Sequence, residues 1–301
     1  MTPYDPPSLE EARWKIEPPA YVGLDPFERV GFGHESVPEG SRVRLAVTVS
    51  PQPPNVKAVI LAAGKGTRMG ALTEELPKPM LPVEGKPILE HIISGIAAQG
   101  VREICLIVGW KSEVIEQHFG DGSALGLNIT YTTQEVQDGT GKAPELAREF
   151  VGDDAFLLTY GDILVRPETY ATMVERFGQG EFSGLITVTP GEDVTKGAIN
   201  FFDDQFCLRK IVEKPSEEKL DQLRANGWLK EGDTMWYNAG IYIFRPVVFE
   251  HTARLQKSQR GEYELTDAIG TMIDLGEPIA GAKIEGRWID VRDPEVLESL
   301  G

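Results

Sequence analysis

The stretch Leu61-Ala62-Ala63-Gly64-Lys65-Gly66-Thr67-Arg68 is a glycine-rich loop at the end of an apolar run that begins at residue 57. The run predicts a buried strand over residues 57–62, and glycines directly after such a strand let backbone N–H groups approach a phosphate closely. A dinucleotide-binding fingerprint requires G-x-G-x-x-G, but the third glycine here, Gly70, comes one residue late. A Walker loop is also excluded, because Ser or Thr would have to follow the Gly-Lys that ends its pattern. The loop therefore indicates phosphate binding of another kind.

Short apolar runs alternate with amphipathic segments from Val56 onward, as in a parallel sheet covered by helices on both faces. Helical spacing of apolar residues predicts a helix from about residue 87 to 99, and Pro144 fits the first turn of another. Strands are predicted at 57–62, 103–108, 128–133, 155–160, 185–189, 199–202, 208–213 and 241–244, and further helices at 112–119, near 216–226 and near 246–256. We therefore predict an α/β fold with a doubly wound, mostly parallel mixed sheet.

The N-terminal part, residues 1–55, differs from the rest of the chain because it contains ten of the 21 prolines and shows no helical period. We interpret it as an arm or extension, followed by one domain over residues 56–301. Within the arm, residues 42–49 are β-rich and partly alternate, which favours a strand. This strand would lie either on the main domain or on a partner subunit of a homo-oligomer.

The charge balance limits the partners of this chain. Lys and Arg number 30 against 47 Asp and Glu, a net charge of −17, which argues against nucleic acid because its phosphate backbone is bound by clustered cations. No apolar stretch is long enough to span a bilayer, and no secretory leader is recognisable, so we expect a cytoplasmic protein with no membrane partner. In so acidic a protein, a phosphate site needs local cations and backbone N–H groups.

A second motif, Leu76-Pro77-Lys78-Pro79-Met80, follows Arg68 at close range. A strand, then L-A-(A/G)-G-x-G-T-R, then a lysine within P-K-P, resembles the sugar-1-phosphate nucleotidyltransferase (NDP-sugar pyrophosphorylase) family over roughly residue 56 to the C-terminus. The resemblance implies a Rossmann-like nucleotidyltransferase fold. It also implies the conversion of a nucleoside triphosphate and a sugar 1-phosphate into an NDP-sugar and pyrophosphate. By this resemblance, residues 61–68 hold the triphosphate, while Arg68 and Lys78 are catalytic and neutralise the phosphates.

Gln134 and the sequence Asp138-Gly139-Thr140-Gly141 come after the strand predicted at 128–133. In the family, the glutamine and the backbone around Gly139 and Thr140 face the nucleobase; a plain turn is the alternative. Lys142 stands where relatives often carry a small residue or histidine, so the base is not determined. UTP or dTTP with glucose 1-phosphate is the first expectation, and guanylyl transfer to a mannose- or heptose-type 1-phosphate is the alternative.

Asp162 ends the strand predicted at 155–160, and Asp290 lies within Gly286-Arg287-Trp288-Ile289-Asp290-Val291. Mg²⁺ commonly takes one or two carboxylates and fills its other positions with water and phosphate oxygens. In the family these two positions hold the metal, so Mg²⁺ is the expected cofactor. For either aspartate alone, a cap or turn residue is the alternative.

Glu213-Lys214-Pro215 and Tyr237-Asn238-Ala239-Gly240 complete the order of motifs. In the family the lysine grips the sugar phosphate, while the glutamate and the asparagine hydrogen-bond the sugar hydroxyls. Two rivals remain: a non-catalytic regulatory relative that binds nucleotide or sugar phosphate, and a glycosyltransferase that consumes NDP-sugars. The stretch after Trp288 is too short for a hexapeptide β-helix, so we expect no acyltransferase module.

Overall fold

A computed structural model of the protein describes residues 55–300, so the arm and its predicted strand at 42–49 lie outside the described residues. Within this range the strands are β1 (Val56–Ala62), β2 (Pro82–Val83), β3 (Lys86–Pro87), β4 (Glu103–Val108), β5 (Asn128–Thr133), β6 (Ala155–Tyr160), β7 (Ile163–Val165), β8 (Gly184–Thr189), β9 (Ala198–Phe202), β10 (Leu208–Glu213), β11 (Trp236–Phe244), β12 (Ile279–Lys283) and β13 (Trp288–Asp290). The α-helices are α1 (Leu72–Glu75), α2 (Ile88–Ala97), α3 (Ser112–Phe119), α4 (Arg148–Val151), α5 (Pro167–Gly178), α6 (Glu217–Ala225), α7 (Val248–Thr252), α8 (Leu265–Asp274) and α9 (Pro294–Glu298).

One nine-stranded sheet forms the centre of the described domain, with strand order β10-β9-β11-β6-β1-β4-β5 and with β8 and β12 continuing beside β11. The strands β1, β4, β5 and β6 are mutually parallel, while β11 runs antiparallel to β6, β8 and β9. Seven of the nine strands therefore point the same way, with β10 and β11 reversed. This confirms the doubly wound α/β fold with a mostly parallel mixed sheet.

The chain order across this sheet creates the crevice for a ligand. From β1 the chain moves outward to β4 and β5, and then returns to place β6 on the other side of β1. Open α/β sheets bind their ligands outside the carboxyl ends of the strands at such a reversal. The residues after β1 and β6 should consequently lie next to each other, and the pairing of Leu61 with Tyr160 brings them there.

Helices cover both faces of the sheet. The side chains of β1 alternate between two apolar clusters, one on each face, and each cluster includes residues of the covering helices. Ala58, Ile60 and Ala62 face one cluster, which includes the buried sides of α2 and α5. Val59 belongs to the other cluster, which takes in α7 and α8. Burial on both faces explains why β1 is a continuous apolar run with little polar alternation. Among residues 55–300, no helix has the length and apolar character that crossing a bilayer requires.

The strands predicted at 103–108, 128–133, 155–160 and 208–213 are confirmed with the same bounds. The helix predicted near 246–256 is shorter, Val248–Thr252, and Ser112 begins α3 without capping it. The sequence analysis missed α5 and α8, although both carry apolar residues at helical spacing on a buried face. It also missed the strands β7, β12 and β13, which are short or small-residue-rich.

Candidate functional site

The glycine-rich loop leaves β1 at Ala62 and turns over the side chain of Lys78. Gly66 has a left-handed φ of 65°, and a Cβ atom at this position would come within 2.9 Å of the Lys78 Cβ atom. The hydroxyl of Thr73 donates to the Gly66 carbonyl at 3.1 Å, so a residue that lies outside the loop stabilises the turn. Glycine is required at 66 because only a residue without Cβ combines this φ with so close an approach.

A cavity of about 520 Å³ opens beside this loop, within the size range of small-molecule sites. Every residue that the sequence analysis assigned to the nucleotide lines it: residues 61–68, Lys78, Gln134, Gly139 and Thr140. Its remaining lining residues are Pro79, Gln137, Ala143, Tyr160, Gly161, Asp162, Glu262 and Arg292. The structure thus brings residues 61–68 and the loop at residues 134–141 to one cavity. After the roles predicted for them from the sequence, we call these segments the phosphate loop and the base-reading loop, and the cavity the nucleotide cavity.

The base-reading loop, residues 134–141, is held by the chain around Tyr263. The Tyr263 N–H donates to the Asp138 carbonyl and the Gly141 N–H donates to the Tyr263 carbonyl, both at 2.8 Å. Gly139 has a φ of 123°, and a Cβ there would meet the backbone nitrogen of Tyr263 at 2.5 Å. The loop is therefore pressed against a backbone segment and contains glycine where a side chain has no room.

Gln137 connects the base-reading loop to the phosphate loop. Its amide Nε2 donates to the Ala63 carbonyl oxygen at 2.7 Å, across 74 residues of sequence. The same carbonyl accepts the Trp110 N–H at 3.3 Å. Since Ala63 immediately precedes Gly64, these two bonds hold the start of the phosphate loop in place. Sequence analysis missed Gln137, although it lies between the two motif residues Gln134 and Gly139.

Two carboxylates and a buried lysine meet where β6 and β13 end. Lys78 is only 7% exposed, and its Nζ lies 2.5 Å from an Asp162 carboxylate oxygen. The N–H of Val291 donates to the Asp162 carbonyl at 3.0 Å, which places Asp290 beside Asp162. Burial raises the pKa of Asp290, and the nearby charge of Asp162 raises it further, while Lys78, Arg292 and Arg68 oppose this shift.

This pair fits a divalent cation that is shared with phosphate oxygens. Among residues 55–300, no group of three or more His, Cys, Asp or Glu side chains could enclose a metal by itself. Mg²⁺ needs no such cage, because substrate phosphates and water normally complete its coordination. Burial and the neighbouring charge of Asp162 both disfavour the ionised form of Asp290, and a cation held by the two carboxylates would offset both effects.

A second cavity, of about 260 Å³, adjoins the first and shares Arg68, Thr140, Tyr160, Asp162 and Glu262 with it. The three residues assigned to the sugar phosphate, Glu213, Lys214 and Asn238, all line this cavity, and so does Asp290. We call it the sugar-side cavity. The sequence-assigned residues thus form two groups in two cavities, and the groups meet at Asp162 and Arg68.

A network of hydrogen bonds fixes the Glu213 carboxylate at the end of β10. The carboxylate accepts from Arg260 at 3.2 Å and from the Thr266 hydroxyl at 3.1 Å. Arg260 also contacts the buried carboxylate of Glu264 at 2.7 Å. With both oxygens already held, Glu213 can still accept from a ligand, because each carboxylate oxygen has two lone pairs. Sequence analysis missed Arg260 and Thr266, which follow Glu213 by more than 40 residues.

Lys214 and Asn238 are each placed by an irregular backbone. Lys214 has a left-handed φ of 37°, and its side chain is 44% exposed at the cavity mouth. Asn238 lies at a register shift of β11, where Gly240 has a φ of 77° and donates its N–H to the Asn238 Oδ1 at 3.2 Å. Bulges of this kind commonly re-aim side chains beside binding sites.

Comparison with known proteins relates residues 57–299 to the family model described as nucleotidyl transferase. The chain is 35% identical to the low-salt glycan biosynthesis nucleotidyltransferase Agl11 of Haloferax volcanii, over 81% of this chain and 65% of that protein. It is 31% identical to the UTP–glucose-1-phosphate uridylyltransferase AglF of the same organism, over 80% of this chain and 93% of that protein. The chain spans slightly less than two thirds of Agl11, and about half of a bifunctional GlmU protein from Methanococcus maripaludis.

The fold is also that of a solved UDP-glucose pyrophosphorylase complexed with UDP-glucose. The TM-score is 0.69 at 19% identity, and the match covers 81% of this chain and 96% of that structure. At this level of identity the likeness shows the shared fold alone.

Proposed function

The chain belongs to the nucleotidyl transferase family, and we propose that it joins a nucleoside triphosphate to a sugar 1-phosphate with release of pyrophosphate. The observation that carries this proposal is the pair of adjoining cavities that share Asp162 and Arg68. One has a glycine-rich phosphate loop and glutamines, and the other has a lysine, a carboxylate and an amide. The transfer of a nucleotidyl group from one substrate to the other needs this arrangement, because the attacking oxygen and the α-phosphorus must meet in line.

In the proposed reaction an oxygen of the sugar 1-phosphate attacks the α-phosphorus of the triphosphate. A new phosphorus–oxygen bond forms, the bond to the bridging oxygen breaks, and pyrophosphate leaves with the electron pair. No covalent enzyme intermediate is needed, because the acceptor is already an anionic oxygen. The main barrier is repulsion between negative charges, so fixed cations aimed at phosphate oxygens lower it.

We assign Arg68 to the phosphates at the junction of the two cavities and Lys78 to the α- and β-phosphates. The ion pair between Lys78 and Asp162 keeps this lysine in one position before substrate binds. Lys214 would hold the sugar phosphate, while Glu213 and Asn238 would accept and donate hydrogen bonds to sugar hydroxyls. Gln134 and the backbone at Gly139 would read the base edge.

We further propose that Asp162 and Asp290 hold Mg²⁺. An ion held by these two carboxylates would supply positive charge that stabilises the phosphates and the leaving pyrophosphate. Lys78 would then balance the remaining charge of Asp162 from the other side. The support is the close pair of carboxylates, one of them buried with a raised pKa.

For the substrates, UTP or dTTP with glucose 1-phosphate is our first proposal, supported by the printed activity of the relative AglF. Guanylyl transfer to a mannose- or heptose-type 1-phosphate is the alternative. We expect the reaction in the cytoplasm, where nucleoside triphosphates are formed.

We also propose that residues 1–55 are an extension to a domain at 56–301 and contribute to subunit contacts. Deleting the extension and measuring mass in solution tests that role.

The test of the proposed function is a matrix of the common nucleoside triphosphates against a panel of sugar 1-phosphates, with Mg²⁺ present and pyrophosphate release measured. We expect release with one or a few pairs only. A glycosyltransferase would instead release nucleoside diphosphate from an NDP-sugar. Absence of pyrophosphate release from every pair would contradict the proposal and favour a non-catalytic binding protein.

A further inference from the structure

Arg292 is a cation of the nucleotide cavity to which the family resemblance assigns no role. It lies two residues after Asp290, at the end of β13, and lines the same cavity as Arg68 and Lys78. Its N–H donates to the Asp290 carbonyl at 2.8 Å, which folds the chain back tightly after the strand. The neighbouring Val291 is fully buried, so the backbone that carries Arg292 is anchored.

The charges around Arg292 define the end of the cavity that it serves. Arg292 lines the same cavity as Lys78 and Arg68, and the N–H of the preceding residue, Val291, donates to the Asp162 carbonyl at 3.0 Å. Gln134 and Gln137 line the cavity at the base-reading loop, which follows a different strand, β5. Arg292 therefore belongs to the phosphate end of the cavity.

The guanidinium group of Arg292 is held only loosely by protein groups. Its nearest charged partner among residues 55–300 is Glu192, at 3.8 Å, which is beyond hydrogen-bond distance. By contrast, the guanidinium of Arg209 makes two contacts with Asp203, and that of Arg260 contacts Glu213 and Glu264. The donors of Arg292 are thus available for an anionic ligand, and a guanidinium matches two phosphate oxygens at once.

We propose that Arg292 binds the β- and γ-phosphates of the triphosphate, and hence the pyrophosphate that leaves. The inference rests on the proposed function for the identity of the anion. Arg68 lines both cavities and stands where the two substrates meet, whereas Arg292 lines the nucleotide cavity alone. Its position suits the part of the triphosphate that does not become bonded to the sugar phosphate. Because the chain has a net charge of −17, each cation at the phosphate end of the cavity contributes strongly to binding a polyanion.

The competing explanation is that Arg292 only anchors the loop that carries Glu192. The two explanations differ in what a change at Glu192 does. If Arg292 acts through this ion pair, Glu192→Gln should reproduce the loss caused by Arg292→Gln. If Arg292 binds phosphate, Glu192→Gln should leave anion binding unchanged or tighten it, because it removes a competing carboxylate.

The experiment measures binding of inorganic pyrophosphate with Mg²⁺ by calorimetry, since this probe does not depend on the base. We expect Arg292→Gln to weaken binding by about 10- to 100-fold, the usual effect of losing charge-assisted hydrogen bonds. Arg292→Lys should retain part of the affinity. Glu192→Gln should bind pyrophosphate at least as well as the wild type. Arg209→Gln, which removes an arginine of another surface ion pair, should not change binding.

Three results would overturn the inference: undetectable pyrophosphate binding by the wild type, unchanged binding by Arg292→Gln, or an equal loss in Glu192→Gln. Its failure can be told apart from failure of the proposed function. Turnover in the substrate matrix together with normal pyrophosphate binding by Arg292→Gln would reject only the role of Arg292. Pyrophosphate binding that depends on Arg292, without turnover of any substrate pair, would reject only the proposed reaction.

Discussion

The nucleotide cavity and the sugar-side cavity share a boundary at Asp162 and Arg68, but they are built in different ways. The first takes most of one wall from an unbroken stretch, residues 61–68, that follows a single strand. The second collects residues from the end of β10, from β11 between Tyr237 and Tyr242, from β13 and from the start of α8. If the proposed roles hold, one loop of backbone groups binds the phosphate chain, whereas side chains from several elements bind the sugar.

Asp162 lines both cavities and is one of the two carboxylates proposed to hold the metal, so its removal should have the largest effect. We expect Asp162→Ala to lower turnover by at least about a hundredfold, as loss of charge stabilisation usually does. The substitution also leaves the buried Lys78 without its partner, so the melting temperature must be measured in parallel. Asp162→Asn keeps the shape and serves as a second variant. Near-wild-type turnover in both would reject the shared metal site.

Asp290 lines only the sugar-side cavity, and substituting it should change activity and stability in opposite directions. We expect Asp290→Asn to lower turnover by at least about tenfold, since one carboxylate of the pair is lost. Without Mg²⁺ the same variant should melt slightly higher at neutral pH, because burial and Asp162 raise the pKa of Asp290 and so disfavour its ionised form.

The pH dependence of that gain in stability gives a control. The gain should be present above the raised pKa of Asp290, where the wild-type carboxyl is ionised. It should shrink as the pH falls through that pKa and vanish below the ordinary pKa of the unfolded carboxyl, because position 290 is then neutral in the folded and unfolded states of both proteins. A melting temperature that is lower than the wild type at every pH would contradict this reasoning.

Lys214 tests whether the two cavities are independent. We expect Lys214→Ala to raise the KM for the sugar 1-phosphate about tenfold, a moderate effect because the side chain is 44% exposed and its charge is screened by water. The KM for the nucleoside triphosphate should change little. Lys210→Ala, on the same strand region but with its ammonium over Trp228, is the matched control. Equal increases in both KM values would break the distinction between the cavities.

Gly64 and Gly139 provide the smallest effect on activity and the sharpest contrast. A Cβ at Gly64 would meet nothing within 4 Å, so Gly64→Ala should keep the melting temperature. It should nevertheless raise the KM for the triphosphate by about three- to tenfold, because a methyl group stands where phosphate approaches the backbone. Gly139→Ala should weaken binding and also lower the melting temperature, since its Cβ would lie 2.4 Å from the Tyr263 carbonyl oxygen. An unchanged KM in Gly64→Ala would mean that phosphate does not contact this loop.

The parallel half of the fold could be predicted because its strands are buried on both faces. Residues 104–108 and 155–158 are uninterrupted apolar runs, and the bounds of the strands that contain them, 103–108 and 155–160, were predicted correctly. The antiparallel part of the sheet was harder to predict. β11 extends from Trp236 to Phe244, but only its last four residues were predicted, because the register shift near Asn238 interrupts the pattern. The helix α8 was not predicted. The loop before it is held by contacts of Arg260 with Glu213 and Glu264, and these contacts cannot be seen in the local sequence pattern.

The fold class and the glycine-rich loop after β1 could be predicted from the chain alone, because each depends on residues that are neighbours in the sequence. A strand followed by glycines is a local pattern, and so is a lysine between two prolines. Which distant groups meet depends on the folded chain: Gln137 lies at the Ala63 carbonyl, Arg260 at Glu213, and Arg292 in the same cavity as Lys78. These contacts join residues far apart in sequence, so they follow from the order of strands across the sheet, which no local pattern encodes.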